Sequence, residues 1–156
     1  MRNWILVLTL LGGSLLSAHA APGGADGEPA GESAIEVIVA PDVPVDTLTV
    51  NQLRLIFSLR LRSWPNGAPI RVVTEPDDAP VHQAFCRTHL GVYANSLRIA
   101  WNRLIYTGLA AGPTVVNGEA AMLERVANLP GAIGYVRQGE RGDAGVRTVT
   151  VTPEPR

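Results

Sequence analysis

Between residues 35 and 151, short apolar, β-branched runs alternate with stretches of helical periodicity, and this alternation constrains the fold more than any other feature. Ile35-Glu36-Val37-Ile38-Val39 reads as a strand, and so does Ile70 to Thr74. Val115 and Val116 begin a short strand, and Ala132 to Val136 and Arg147 to Val151 read as two closing ones. In LTVNQLRLIF, Thr49 and Gln52 have capping-box spacing, and Leu48 and Leu53 sit where a hydrophobic staple closes; together they predict a helix from about Val50 to Ser58. A second helix, starting near Ala79, puts Val81, Ala84, Phe85 and Thr88 on one face. A third, from about Asn95 to Tyr106, places Leu97, Ala100, Trp101, Leu104 and Ile105 at i, i+3, i+4, i+7 and i+8. A fourth, GEAAMLERVAN, is capped by Asn117 and stops at Pro130-Gly131. Strands interleaved with helices in this way predict an α/β domain whose mixed sheet is flanked by helices.

The ends of the chain read differently. Residues 1–20, MRNWILVLTLLGGSLLSAHA, combine Arg2, an apolar stretch from Trp4 to Leu16 and the small-residue site Ala18-His19-Ala20, the pattern of a secretory signal peptide cleaved before Ala21. Residues 21–33, APGGADGEPAGES, have little apolar surface to bury and read as a flexible linker. That leaves one domain at 34–152, about 120 residues and large enough for a real core, and a tail at 153–156. The expected product is secreted across the inner membrane to the periplasm, with no membrane insertion after cleavage.

The formal charge is −1, so neither nucleic acid nor an anionic membrane is implied as a partner. All thirteen basic residues are Arg. Seven of them lie between Arg54 and Arg103, against three carboxylates: Glu75, Asp77 and Asp78. The single cysteine, Cys86, excludes an intrachain disulfide and is expected to be buried and inert.

Those three acids occupy the turn between the second strand and the helix that Pro80 opens. An exit from a strand into a helix N-terminus presents free N–H groups to an anion, yet here the spot is loaded with negative charge. The simpler expectation is that Asp77 or Asp78 caps the helix while Glu75 is solvated beside them. The sharper one uses paired carboxylates for acid–base work or a hard cation, although EF-hand spacing is absent. Further along, His82, Cys86 and His89 fall along one flank of the helix's apolar face. His82 and His89 lie roughly 10 Å apart along it, so no single ion reaches all three; an adjacent pair such as His82 and Cys86 could share one, and ordinary packing on the helix flank is the simpler expectation. There is no G-x-S-x-G elbow, P-loop, dinucleotide fingerprint or C-x-x-C. A Cys86–His89 nucleophile pair would share one helix without an orienting partner, so no enzyme and no cofactor are expected.

Several phrases in fixed order add a resemblance. VDTLTVNQLRLIF is followed by a basic stretch ending in Trp64, then by Gly67-Ala68-Pro69-Ile70-Arg71-Val72-Val73, and finally by PGAIGYV at 130–136. This order resembles the phosphate-type substrate-binding proteins of ABC transporters, whose fold is the two-lobed type II periplasmic binding protein. Trp101-Asn102-Arg103-Leu104 and Tyr106-Thr107-Gly108 resemble a short, single-lobe branch of that family, and the likeness runs from about 35 to 137. It implies a binding module resembling one lobe, with a small anion or a protein as partner, or a homodimer that completes the cleft, because one lobe alone offers a shallow surface.

In phosphate binders of this family the strand-to-helix turn reads approximately R-x-D-G-S-G-T, followed by a helix bearing Phe. Anchoring on Phe85 puts Glu75 at the Arg, Asp77 at the Asp, Asp78 at the first Gly, and Ala79-Pro80-Val81 at Ser-Gly-Thr. The resemblance therefore assigns ligand binding to Thr74, Glu75, Asp77, Asp78 and Ala79 while removing the chemistry that holds phosphate there. Each lost charge-assisted hydrogen bond is worth about 1.5–3 kcal/mol, and three or four of them abolish micromolar affinity. Arg60, Arg71 and Arg103 are the candidate anion contacts that would replace the missing Arg. On one reading Arg60, Arg62, Trp64 and Arg103 present an Arg-rich, aromatic surface to a ligand or protein partner; the simpler expectation is a solvated helix flank for the Arg residues and a place in the core for the Trp residues.

Overall fold

The structure, a computed structural model, describes residues 34–154; the expected signal peptide and linker, and residues 155 and 156 of the tail, lie outside the described residues. Six strands form one mixed sheet. In chain order they are β1 (Ile35–Val39), β2 (Thr47–Thr49), β3 (Arg71–Thr74), β4 (Thr114–Val115), β5 (Ala132–Arg137) and β6 (Arg147–Thr152). Their order across the sheet is β2-β6-β1-β5-β3-β4. β1 runs antiparallel to both neighbours, with Val37 opposite Tyr135 of β5 and Val149 of β6. β2 with β6, β5 with β3, and β3 with β4 are parallel pairs.

Four α-helices connect the strands: α1 (Val50–Phe57), α2 (Pro80–Phe85), α3 (Ala94–Tyr106) and α4 (Glu119–Asn128). α1 starts where its capping box predicts. The Thr49 side chain accepts the Gln52 N–H at 3.1 Å, and the Gln52 side chain accepts the Thr49 N–H at 2.9 Å. α2 continues into a π-helical turn, Cys86–Leu90, which ends at Gly91 in the left-handed conformation. The N-cap of α4 is Gly118 rather than Asn117, and no side chain caps the helix, which corrects the expectation from sequence.

β5 is buried on both faces and shows how the layers stack. A side chain at Gly134 would run into Met122 and Val126 of α4. Tyr135, the next residue, turns to the opposite face, as strand alternation requires. There its ring stacks on Phe85 of α2 at 4.1 Å and 10°, and Phe57 of α1 lies 4.7 Å from Phe85. Such aromatic contacts add about 0.5–1.5 kcal/mol beyond the apolar area they bury. α4 therefore covers one face of the sheet, and α1 and α2 cover the other.

The PGAIGYV phrase is built around Gly131. Its φ is +73°, and a Cβ there would lie 2.3 Å from the Pro69 carbonyl oxygen, so only glycine fits. Its carbonyl accepts the Trp64 indole N–H at 3.0 Å and the Arg71 N–H at 3.0 Å, while its own N–H donates to the Asp42 carboxylate at 3.0 Å. Trp64 is thereby buried in the core, as the simpler expectation for the Trp residues has it, and is not part of an exposed aromatic surface. Trp101 is buried as well, donating its indole N–H to the Phe57 carbonyl at 2.6 Å.

Candidate functional site

The end of β3 delivers Thr74 and Glu75 into the interior instead of into solvent. Glu75 is 3% exposed, against the sequence expectation of a solvated acid. Its backbone N–H donates to the Tyr135 hydroxyl at 2.9 Å, which draws the start of the turn down onto β5. Its carboxyl oxygen Oε1 and the Thr74 hydroxyl are both buried without a hydrogen-bond partner among the described residues. Burial raises the Glu75 pKa above its ordinary value, and the Glu119 carboxylate raises it further, while Arg137 acts in the opposite sense. Arg137 is committed to Glu119, donating through both its guanidinium and its backbone N–H. Glu75 is thus left as a buried acid without a bonded counter-charge.

The Tyr135 hydroxyl also lies 2.5 Å from Nδ1 of His82, and His82 Nε2 lies 3.6 Å from the Cys86 sulfur. Burial lowers the His82 pKa, so the neutral ring is favoured. A neutral ring satisfies the whole chain in one way. The hydroxyl accepts from Glu75 and donates to Nδ1, and Nε2–H then faces the thiol. Burial, with Asp77 nearby, pushes the Cys86 thiol up to about 12. Cys86 is buried as expected, and His82 is a core group as well, with a protonated thiol and one imidazole nitrogen already engaged. A metal there would have to displace that proton. Among the described residues, no group of three or more His, Cys, Asp or Glu side chains is placed to hold an ion. His89 is half-buried and stacks on Phe85 at 5.4 Å.

Asp77 and Asp78 stand at the mouth of a groove of about 520 Å3 between α2 and α3, which Arg87, Tyr93 and Arg98 also line. Neither acid caps α2. Ala79 is its N-cap, without a side-chain bond, and Pro80 supplies the first helical residue, where no N–H is required. Asp77 turns instead to Arg98, 2.5 Å away. Ala79 closes the turn by donating its N–H to the Pro76 carbonyl at 2.9 Å.

The three candidate anion contacts do not converge on this turn. Arg71 begins β3, at the opposite end of the strand from Thr74. Arg60 lines a separate cavity beside α1, and Arg103 is exposed in the last turn of α3. The side chains that do meet the turn include Tyr135, Arg98 and Gln83, which donates to the Asp77 carbonyl at 3.2 Å, and none of these was a candidate site residue in the sequence. A Tyr within an otherwise aliphatic buried strand was the available signal, because a buried phenol needs a partner.

Residues 17–154 match a domain family described as the PBP superfamily domain. No curated protein matches the chain. One similar solved structure is a Clostridium perfringens protein described as a phosphate ABC transporter substrate-binding protein and solved with bound phosphate. It is 25% identical, with a TM-score of 0.60 over 75% of this chain and 44% of that one. An ABC-type phosphate transport receptor from Vibrio cholerae is 21% identical, with a TM-score of 0.58 over 75% of this chain and 45% of that one. PstS from Borrelia burgdorferi is 18% identical, with a TM-score of 0.54 over 79% and 49%. The chain spans less than half the length of each of these three structures. Among the described residues, no helix is long and apolar enough to cross a membrane.

Proposed function

The chain belongs to the PBP superfamily, and from that premise we propose that it is an exported, non-enzymatic binding module resembling one lobe of a phosphate ABC transporter substrate-binding protein, with the phosphate cradle lost at the turn of residues 74–79. The observation that carries this reading is the Glu75 carboxyl, buried at the strand end without a bonded counter-charge. A phosphate brought to that position would add negative charge beside Glu75, Asp77 and Asp78. It would find no Ser or Thr hydroxyl at Ala79, Pro80 or Val81, and Pro80 offers no N–H. The leader at residues 1–20 supports export to the periplasm. Its proposed partner is a protein or a second copy of the chain.

The test is thermal unfolding of the protein, expressed from its full sequence, in phosphate and in sulfate at constant ionic strength. No phosphate-specific shift is expected. A rise of several degrees in phosphate alone overturns the proposal.

A second reading retains anion binding in the groove, and the presence of Arg87 and Arg98 in its lining favours it. On that reading the rise in phosphate appears and is lost in Arg98→Ala.

A further inference from the structure

A cavity of about 490 Å3 lies between α1 and the turn that follows the π-helix, away from the residues at 74–79. This volume is in the range of small-molecule sites. Asn51, Arg54, Leu55 and Ser58 line it from α1 at i, i+3, i+4 and i+7, so a single helix face forms one wall. Leu90, Val92 and Leu97 make the opposite side apolar, and Arg60 stands at the end near Ser58.

Arg54 is held in place from behind. Its Nε–H donates to the Leu90 carbonyl at 2.8 Å. Gly91 keeps room for the guanidinium, because a Cβ there would come within 3.0 Å of Nη2. Among the described residues, no carboxylate pairs with Arg54 or Arg60. Glu154 accepts the Asn51 backbone N–H at 3.2 Å, at the other end of α1 from Ser58. A fixed guanidinium with uncommitted Nη groups above an apolar wall matches an anion that carries a hydrocarbon body. Ser58 is the C-cap of α1, so the negative end of the helix dipole faces this end of the site; it opposes any anion there, a doubly charged one more than a carboxylate, and the two guanidinium groups must outweigh it.

We propose that this cavity binds a small amphipathic monocarboxylate, its carboxylate on Arg54 and Arg60 and its hydrocarbon on Leu55, Leu90, Val92 and Leu97. No residue of the Thr74–Ala79 turn lines the cavity, so the outcome here is independent of the phosphate test.

The experiment is isothermal titration of the protein, expressed from its full sequence, with octanoate, octanol and inorganic phosphate. Octanoate binds, and octanol and phosphate bind at least about tenfold more weakly, the loss expected for a missing charge-assisted bond or a missing apolar body. Arg54→Gln and Arg60→Gln each weaken octanoate about tenfold or more. Arg60 is exposed, so Arg60→Gln reads the charge alone should Arg54→Gln disturb the turn at Gly91. Equal binding of octanol and octanoate, unchanged affinity in Arg60→Gln, or no octanoate binding overturns the proposal.

Discussion

The Tyr135 hydroxyl accepts the Glu75 N–H at 2.9 Å and meets His82 Nδ1 at 2.5 Å, so one buried oxygen ties the central strand both to the β3–α2 turn and to α2 itself. Tyr135→Phe leaves a backbone donor and an imidazole nitrogen without partners in the core. The expected cost is about 2–4 kcal/mol, since each unsatisfied buried group is worth about 1–3 kcal/mol. Urea unfolding at neutral pH measures it. A change within error of zero would show that water or a rearranged turn satisfies both groups.

The buried carboxyl of Glu75 makes stability depend on pH. Its folded pKa is raised, mainly by burial and further by Glu119, so folding favours the protonated form. The stability linked to it is fully present below the ordinary value of 4.5 and is lost as pH rises through the folded value. Glu75→Gln imitates the protonated acid. It is expected to raise the unfolding midpoint at about pH 8 and to leave it unchanged at about pH 4. Equal midpoints for the two proteins at both pH values would contradict the burial of an uncompensated charge.

Cys86 is expected to be silent in the folded protein. Its side chain is buried, and its pKa is pushed up to about 12, which removes the nucleophilic thiolate at neutral pH. A thiol-reactive dye should label it only after urea unfolding. Rapid labelling of the native protein would mean that the core beneath α2 opens readily.

Gly131→Ala tests the joint at the start of β5. Both the left-handed φ and the 2.3 Å approach to the Pro69 oxygen oppose a side chain there. The expected loss is about 2–4 kcal/mol, read from urea unfolding. A loss below about 1 kcal/mol would show that the 64–70 loop moves aside at little cost.

Features set by neighbouring residues were legible in the sequence. The Thr49–Gln52 box marked the start of α1 because both partners lie within one helical turn. The expected strands appeared within a residue or so of their places because their apolar runs are continuous. β2 escaped because three residues carry no readable period, and its identity as a strand comes from β6, about a hundred residues away. The predicted caps at Asp77 or Asp78 and at Asn117 followed residue preference. At α2 the choice was made by Pro80, which needs no donor satisfied, and by Arg98, which takes Asp77. No local signal carries the burial of Glu75, because its hydrogen-bonded neighbour Tyr135 is sixty residues away. The Arg residues were countable in the sequence, but their separation onto different faces is a property of the folded chain.

The antiparallel pairing of β1 with β6, Val37 opposite Val149, brings the entrance and exit of the described chain to one end of the sheet. Joining residue 154 back to residue 34 through a short bridge would therefore ask little of the strands in between. The lobe could be circularly permuted, with new ends opened at an exposed turn such as Pro65–Gly67, or set as a cassette into a surface loop of another protein, and should keep its register in either setting.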